Sequence, residues 1–255
     1  MRLPTWRARR MWQRNADVFM RLFWSIAPGF MIEPIIVLLA LGLGFGSFMG
    51  NIGGSSYIQF IVPGVIASYA MSSASFECTY GVYFRMEYRR TYDSILATPL
   101  NIEDVVTGEI FWGATRSVVT VVIIMVVAAA LGLLHSPWAL LVPPVAVLEG
   151  LMFASIATLF TSLAPSIYHF NYYFTLFIAP LTFFSGAFFP LSSFPESVQV
   201  VGRIVPLTPA VELNRALVTG DFSSGGLLGA IIIMLVVTTV FFALSMLTMK
   251  RRVTD

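Results

Sequence analysis

Long apolar runs separated by short charged segments dominate the pattern of this chain. Several long stretches contain no Asp, Glu, Lys or Arg, among them residues 34–76, 150–195 and 222–249. A helix needs about 20 apolar residues to cross the hydrocarbon core of a bilayer, so each stretch has room for one or two spans. The runs are continuous rather than alternating, which argues against a membrane barrel. The pattern predicts an all-α polytopic membrane protein with one transmembrane domain over residues 1–255 and six spans, near 26–48, 58–82, 110–134, 138–162, 169–190 and 227–249.

Composition supports this class and excludes several kinds of chemistry. Of 255 residues, 57% are hydrophobic and 11% charged, against about 25% charged in an ordinary soluble domain. The chain has one cysteine and two histidines, too few for a thiolate or histidine metal site. Lys250 is the only lysine, so there is no Gly-Lys-Ser/Thr phosphate loop. We therefore expect no cofactor on this chain, and ATP, if used, to be hydrolysed by another chain. A net charge of +2 does not suggest a nucleic-acid partner.

The positive charges predict the orientation of the spans. Twelve of the fifteen Lys and Arg residues lie before the first predicted span, after the second or after the last. Short loops rich in Lys and Arg stay in the cytoplasm, and an even number of spans puts these three segments on one side. The prediction is a multi-pass membrane protein with both termini cytoplasmic.

Three segments outside the spans have a distinct character. Residues 1–25 have arginines on one helical face and apolar residues on the other, which predicts an amphipathic helix lying in the membrane interface. Residues 84–104 predict a charged helix starting at Arg85 and stopped by Pro99, followed by a new helix capped by Asn101. In the exterior segment 191–226, prolines at 195 and 209 predict two short re-entrant helices.

A few polar residues lie in or near the apolar spans. Ionisable groups inside a membrane are costly and are functional hypotheses by default. The candidates for a gate or an intramembrane polar contact are Glu33, Glu77, Arg116 and Glu149. Glu33 and Glu77 are near enough to span ends that they could simply reach the interface, and Glu149 is the best single candidate.

Aromatic residues crowd the fifth predicted span. Sugar rings stack on aromatic faces, so these residues could line a substrate path, although most aromatic residues in spans serve packing or the interface. The candidates are Tyr172, Tyr173, Phe177, Phe183, Phe184 and Phe188.

Three stretches carry a family resemblance: RMEYRRTY at 85–92 followed by ATPL at 97–100, PLTFFSGAFFP at 180–190, and PLTP at 206–209. In this order and spacing the chain resembles the type-2 ABC exporter permeases along nearly its whole length. Within that family it is similar to the lipo-oligosaccharide branch, which includes the nodulation-factor permeases.

The resemblance implies a half-transporter without a catalytic site of its own. It implies that two copies pair, that each docks a separate P-loop ATPase which binds ATP and magnesium, and that an amphiphile such as a lipo-oligosaccharide or lipid-linked glycan is exported. The coupling helix would contact the ATPase, with ion pairs from arginines and with aromatic and apolar anchors. The coupling residues that it implies are Arg85, Glu87, Arg89, Arg90, Tyr92, Leu96 and Pro99.

Other functions stay open at this stage. Export of drugs or of other lipids is the closest alternative. An ion-coupled carrier would usually show an acid-rich path and inverted repeats, and no convincing repeat is visible. An intramembrane serine protease would need Ser185 with His135 or His169, but Ser185 lacks a Gly-x-Ser pattern.

Overall fold

The computed structural model describes residues 4–46, 51–52, 55–223 and 226–254. The chain is an all-α polytopic membrane protein, as the apolar pattern predicts. Among the described residues, five helices are long and apolar enough to cross a membrane. They cover residues 8–42, 57–88, 102–130, 137–163 and 227–253. The predicted total of six spans therefore stays a prediction.

The helices follow in this order. Helix α1 is Ala8–Leu39 and continues as a π-helical turn, Ala40–Phe45. Two short antiparallel strands, β1 (Asn51–Ile52) and β2 (Ser55–Ser56), precede α2 (Tyr57–Phe76). Helix α2 continues through the π-helical segments Glu77–Gly81 and Phe84–Tyr88. The remaining elements are α3 (Thr91–Leu96), α4 (Ile102–Ala130), a 3-10 turn (Pro137–Leu141), α5 (Val142–Leu163), α6 (His169–Tyr172), a π-helical segment (Tyr173–Ile178), α7 (Ala179–Phe184), a 3-10 turn (Leu191–Ser193), α8 (Glu196–Ile204), α9 (Thr208–Thr219) and α10 (Leu227–Thr254).

The centre of the bundle is formed by α2, α4 and α5, which pack against one another, with α1 against α4 and α10 against α5. Large side chains from the three central helices are fully buried there, among them Ile66, Ile110 and Phe153. Small residues let the helices approach. A Cβ on Gly108 would lie 2.6 Å from the Cβ of Met11 and 2.8 Å from the carbonyl oxygen of Ala8, so glycine at this position lets α1 lie directly on α4.

The N-terminal segment differs from its predicted form. The sequence predicts an interfacial helix over 1–25 and a separate span from 26, but the structure has one continuous helix from Ala8. Its first turns are attached to α4, because Trp12 Nε1 donates to Thr115 Oγ1 at 2.8 Å and Met11 is buried. Pro28 and Pro34 lie within the helix without ending it.

The predicted fifth span, 169–190, is shorter in the structure. Helical residues run from His169 through α6, the π-helical segment and α7, and end at Phe184. Gly186 then adopts a φ of 80°, a left-handed conformation that suits glycine and turns the chain. At 1.5 Å per residue, these sixteen residues span roughly 24 Å, less than a typical hydrocarbon core.

The segment 191–226 contains the two short helices that its prolines predict. Pro195 precedes α8, Pro209 lies in the first turn of α9, and Gly220 ends α9 with a φ of 79°. Helix α9 packs against α2 and α10 and is largely buried, whereas α8 exposes apolar residues, for example Ile204 at 77%. The depth of these helices in the membrane stays a prediction.

Candidate functional site

A sharp break separates α2 from the coupling segment, residues 89–101. Arg90 has a φ of 46°, the left-handed conformation that ends α2 and redirects the chain into α3. Helix α4 begins after Asn101, whose N–H donates to the Asp104 carboxylate at 3.3 Å. The short helix α3 therefore lies between two fixed helix ends.

A buried carboxylate on α4 attaches α3 to the bundle. Glu109 is fully buried and accepts two hydrogen bonds from Arg85, from Nε at 2.8 Å and from Nη2 at 2.7 Å. It also accepts from Asn15 Nδ2 at 2.8 Å and from the Tyr92 hydroxyl at 3.3 Å. One side chain thus joins α1, the end of α2, α3 and α4. We call Asn15, Glu77, Arg85, Tyr92, Glu109 and Arg116 the buried polar network.

The network continues toward the middle of the bundle through Glu77. Arg85 Nη1 donates to Glu77 Oε1 at 2.8 Å, and the other carboxylate oxygen lies 3.5 Å from Nε of Arg116. The Arg116 guanidinium lies over the rings of Phe19 and Phe30, 4.5 and 4.2 Å from their centroids. These cation–π contacts stabilise a charge that water cannot reach well.

Tyr92 connects α3 to this network through a hydroxyl that remains protonated. Burial raises the pKa of Tyr92 well above its usual value, and the neighbouring Glu109 carboxylate raises it further. The Tyr92 side chain is 1% exposed. At neutral pH the hydroxyl is a hydrogen-bond donor to Glu109, and this bond joins α3 to the buried carboxylate.

The N-terminus, the coupling segment and the C-terminus meet at one end of the molecule, the charged end. The Thr5 hydroxyl donates to Asp104 at 2.9 Å, and the Arg7 guanidinium donates to the Pro99 carbonyl. From the C-terminal turn, Lys250 pairs with Glu103 at 2.8 Å and Arg252 with Glu87 at 3.0 Å. The three basic segments of the sequence therefore lie on one side.

The structure corrects part of the predicted coupling interface. The helix predicted to start at Arg85 does not exist as a unit, because Arg85 and Glu87 belong to the end of α2 and the coupling helix begins only at Thr91. Arg85 and Tyr92 point into the bundle, where they bond to Glu109 and are not exposed for direct contact with a partner protein, so the coupling role of these two residues stays a prediction. Leu96 is partly buried.

Other predicted coupling residues do lie on the surface. The exposed ones are Glu87, Arg89, Arg90 and Pro99. Tyr88 is also exposed, at 63%, and its ring lies 5.0 Å from that of Phe84, itself 46% exposed. Tyr88 and Phe84 therefore form an accessible aromatic patch beside α3; both lie in the predicted docking segment 84–99, but neither was among the predicted coupling residues.

A cavity of about 900 Å³ lies between α1, α2, α4 and the segment 174–189. Two of the predicted path residues, Phe183 and Phe188, line it, as does Phe174. The other four predicted path residues do not line it. Tyr173 and Phe177 pack in the core, with the Tyr173 hydroxyl 3.4 Å from Ser75 Oγ, while Tyr172 and Phe184 lie at the surface.

The four predicted polar residues of the spans fall in three places. Glu33 lines the cavity and accepts a hydrogen bond from the Tyr69 hydroxyl at 3.2 Å. Glu77 and Arg116 form the ion pair of the buried polar network. Glu149 is fully buried and 3.5 Å from Nδ2 of Asn214 on α9, while its Oε1 has no hydrogen-bond partner among the described residues.

Sequence reasoning missed Glu109, the centre of the network. The third span was predicted to start at 110, which left Glu109 outside it, whereas α4 begins at Ile102. A signal was present, because Glu109 and Arg116 are seven residues apart and so share one helical face. Asn15 was missed because its significance depends on α1 packing against α4. Among the described residues, no group of His, Cys, Asp and Glu could hold a metal ion.

Comparison with known proteins defines the class. The family model for ABC-2 type transporters matches residues 9–219, so the chain belongs to this family of membrane permeases. It is 35% identical over 247 residues to Nodulation protein J of Sinorhizobium fredii (strain NBRC 101917 / NGR234), covering 97% of this chain and 94% of that protein.

Further relatives agree with this membership. The chain is 40% identical over 212 residues to Nodulation protein J of Rhizobium leguminosarum bv. trifolii, covering 82% of this chain and 80% of that protein. A more distant similarity, 23% over 201 residues and 77% of each chain, is to the Inner membrane transport permease YadH of Escherichia coli (strain K12). The protein is a multi-pass ABC transporter permease.

Proposed function

We propose that this chain is the transmembrane subunit of an ATP-driven exporter whose energy comes from a separate P-loop ATPase. The observation that carries the proposal is the attachment of α3 to the bundle through Glu109. A rigid element between two helix ends transmits the movement of a bound subunit. Here a force on α3 reaches α1, α2 and α4 through Tyr92, Glu109 and Arg85.

The ATPase docks on the charged end, against the coupling segment. Tyr88 and Phe84 supply the apolar contact, and Arg89 and Arg90 pair with acids of the partner. Exposed ion pairs contribute only about 0.2–1 kcal/mol each, so the aromatic contact dominates the docking energy. ATP and magnesium are bound by the ATPase, and this chain has no catalytic site.

The charged end faces the cytoplasm of a bacterium, and the membrane is the inner membrane. Support comes from the twelve Lys and Arg residues that the sequence puts before the first predicted span, after the second and after the last, since Arg7, Lys250 and Arg252 from these segments bond at this end. The complete transporter contains two copies of the permease, most simply as a homodimer, and two ATPase subunits. The family resemblance supports this composition.

The cargo is an amphiphile with a glycan part, such as a lipo-oligosaccharide or lipid-linked glycan, carried outward. Support comes from the family resemblance and from the cavity, which combines aromatic walls with the hydroxyls of Ser68, Ser72 and Thr120. Aromatic faces stack on sugar rings, and hydroxyl groups bond to them. A cavity of this kind suits a cargo that is apolar at one end and polar at the other.

Co-purification tests the ATPase interaction. Tagged permease is extracted gently from its native membrane, and the accompanying proteins are quantified by mass spectrometry. We expect a P-loop ATPase in roughly equal amount, lost in Tyr88→Asp. Phe222→Asp is the matched control, because Phe222 is also exposed but lies at the opposite end, beside Trp138.

A permease that retains its fold and carries no ATPase would contradict the proposal, as would equal losses in the two variants. The cargo is tested separately in inverted membrane vesicles, with labelled lipo-oligosaccharide added to the medium outside them. ATP-dependent accumulation is expected, whereas uptake driven by a proton gradient without ATP would indicate an ion-coupled carrier.

A further inference from the structure

The cavity has one chemically distinct corner. Most of its lining is apolar or aromatic, contributed by residues 26–41 of α1, by α2 and by residues 174–189. Arg116 is the only arginine or lysine in the lining among the described residues, and it enters from α4. A cation in an apolar cavity requires a physical reason, because an unpaired buried charge is costly.

Arg116 retains hydrogen-bonding capacity that the described residues do not use. It is 7% exposed, and neither Nε nor Nη1 has a hydrogen-bond partner. Its contact with Glu77 is an ion pair at 3.5 Å, longer than a charge-assisted hydrogen bond. Phe19 and Phe30 cover the guanidinium faces, which leaves the N–H groups at its edge for a ligand.

A second unpartnered group lines the same cavity. Ser68 is 3% exposed, and its hydroxyl has no hydrogen-bond partner among the described residues. The hydroxyls of Ser73 and Thr120, which also line the cavity, bond to each other at 3.0 Å. Buried polar groups are nearly always paired in native structures, so two unpaired donors in one cavity indicate a missing acceptor.

The surrounding charges favour an anion as that acceptor. Arg85 donates two hydrogen bonds to Glu109 and one to Glu77, so the hydrogen bonds from an arginine to these two carboxylates come from Arg85 and not from Arg116. Glu33 also lines the cavity, but it is exposed and its carboxylate is bonded to Tyr69, not to Arg116. Arg116 is therefore the charged residue of the described lining whose N–H groups at Nε and Nη1 have no hydrogen-bond acceptor.

We propose that the cavity binds the anionic group of an amphiphile, a phosphate, sulfate or carboxylate, on the N–H edge of Arg116 and the hydroxyl of Ser68. The hydrocarbon part lies along the aromatic wall formed by Phe30, Phe174 and Phe183. The proposal deepens the proposed function, on which it rests, by specifying an acidic amphiphile as cargo.

Binding of radiolabelled dodecyl phosphate tests the site. The full-length permease is held in a maltoside detergent, so that no phospholipid competes, and binding is read by scintillation proximity. Arg116→Gln should weaken binding at least about tenfold, as expected for loss of a charge-assisted hydrogen bond. Arg203→Gln is the matched control, because Arg203 is exposed on α8, and it should leave affinity unchanged.

Two further variants keep the test decisive if Arg116→Gln fails to fold. Ser68→Ala should weaken binding about threefold, the value of one neutral hydrogen bond. Gly29 lines the cavity and a Cβ added there meets nothing within 4 Å, so Gly29→Leu extends a side chain from an open position and should reduce binding with Arg116 intact.

Competition distinguishes an amphiphile site from a site for free anions. Unlabelled dodecyl phosphate should displace the label, and inorganic phosphate in large excess should not. Equal affinity in Arg116→Gln, Ser68→Ala and wild type, or displacement by inorganic phosphate alone, would overturn the proposal. The binding assay needs no ATPase. A failure to bind dodecyl phosphate would therefore leave the co-purification result unchanged, and a failure to co-purify an ATPase would leave the binding result unchanged.

Discussion

Replacing Glu109 by glutamine removes the charge at the centre of the buried polar network with little change of shape. Wild-type Glu109 is fully buried and accepts two hydrogen bonds from Arg85, one from Asn15 and one from Tyr92. Glutamine offers a single acceptor oxygen and places an amide N–H group against other donors. Arg85 would keep only its ion pair with Glu77.

The expected cost is large. Removing one partner of a buried ion pair typically costs about 3–5 kcal/mol, and Glu77, which Arg116 also contacts, compensates only part of the remaining Arg85 charge. We expect Glu109→Gln to lower the thermal unfolding temperature of the purified permease clearly. Glu87→Gln is the matched control. Its pair with Arg252 is at the surface, where Glu87 is 46% exposed, and such pairs contribute about 0–1 kcal/mol.

A double substitution separates the cost of leaving Arg85 without the Glu109 charge from the cost of losing the Glu109 side chain itself. When both charges of a buried pair are replaced by apolar groups, stability is often largely restored. We expect Arg85→Met combined with Glu109→Leu to unfold at a higher temperature than Glu109→Leu alone. Equal unfolding of Glu109→Gln and Glu87→Gln, or strictly additive losses in the double variant, would refute the role assigned to Glu109.

Three further predictions concern packing and buried polar contacts, each measured by thermal unfolding in detergent. A Cβ on Gly64 would lie 2.0 Å from the Ala187 carbonyl oxygen, so Gly64→Ala should destabilise by about 1–3 kcal/mol, whereas Gly229→Ala, with open space around it, should not. Glu149→Gln should be tolerated because it can donate to the unpaired Asn214 Oδ1, and Glu149→Leu should cost about 1–3 kcal/mol. Tyr92→Phe should cost about 0.5–1.5 kcal/mol by removing one hydrogen bond, and Tyr92→Ala about 3–5 kcal/mol by leaving a cavity.

Charge spacing and prolines predicted the features that depend on local chemistry. Pro195, Pro209 and Asn101 each mark a helix start in the structure, because their effect on the backbone is local. The gathering of basic segments at one end also follows from sequence, since it needs only the order of the spans.

The direction in which side chains point could not be predicted in the same way. Arg85 and Tyr92 are separated by the left-handed Arg90, and this one residue changes the direction of the chain between them. A single uninterrupted helix, as predicted, would put both side chains on one face about 10.5 Å apart along its axis, whereas the turn at Arg90 brings both to Glu109. The role of Asn15 and the division of the aromatic residues between cavity, core and surface depend likewise on tertiary packing that no local pattern encodes.

Cross-linking in intact membranes tests most directly whether the coupling segment binds an ATPase. Cys78 is the only cysteine and is buried, so a cysteine introduced by Ser94→Cys, at an exposed position of α3, is the one accessible thiol. Ser223→Cys, exposed at the opposite end, is the matched control. We expect a thiol-directed cross-linker to join position 94, and not position 223, to a P-loop ATPase. No ATPase adduct at position 94, or equal adducts at both positions, would contradict the account.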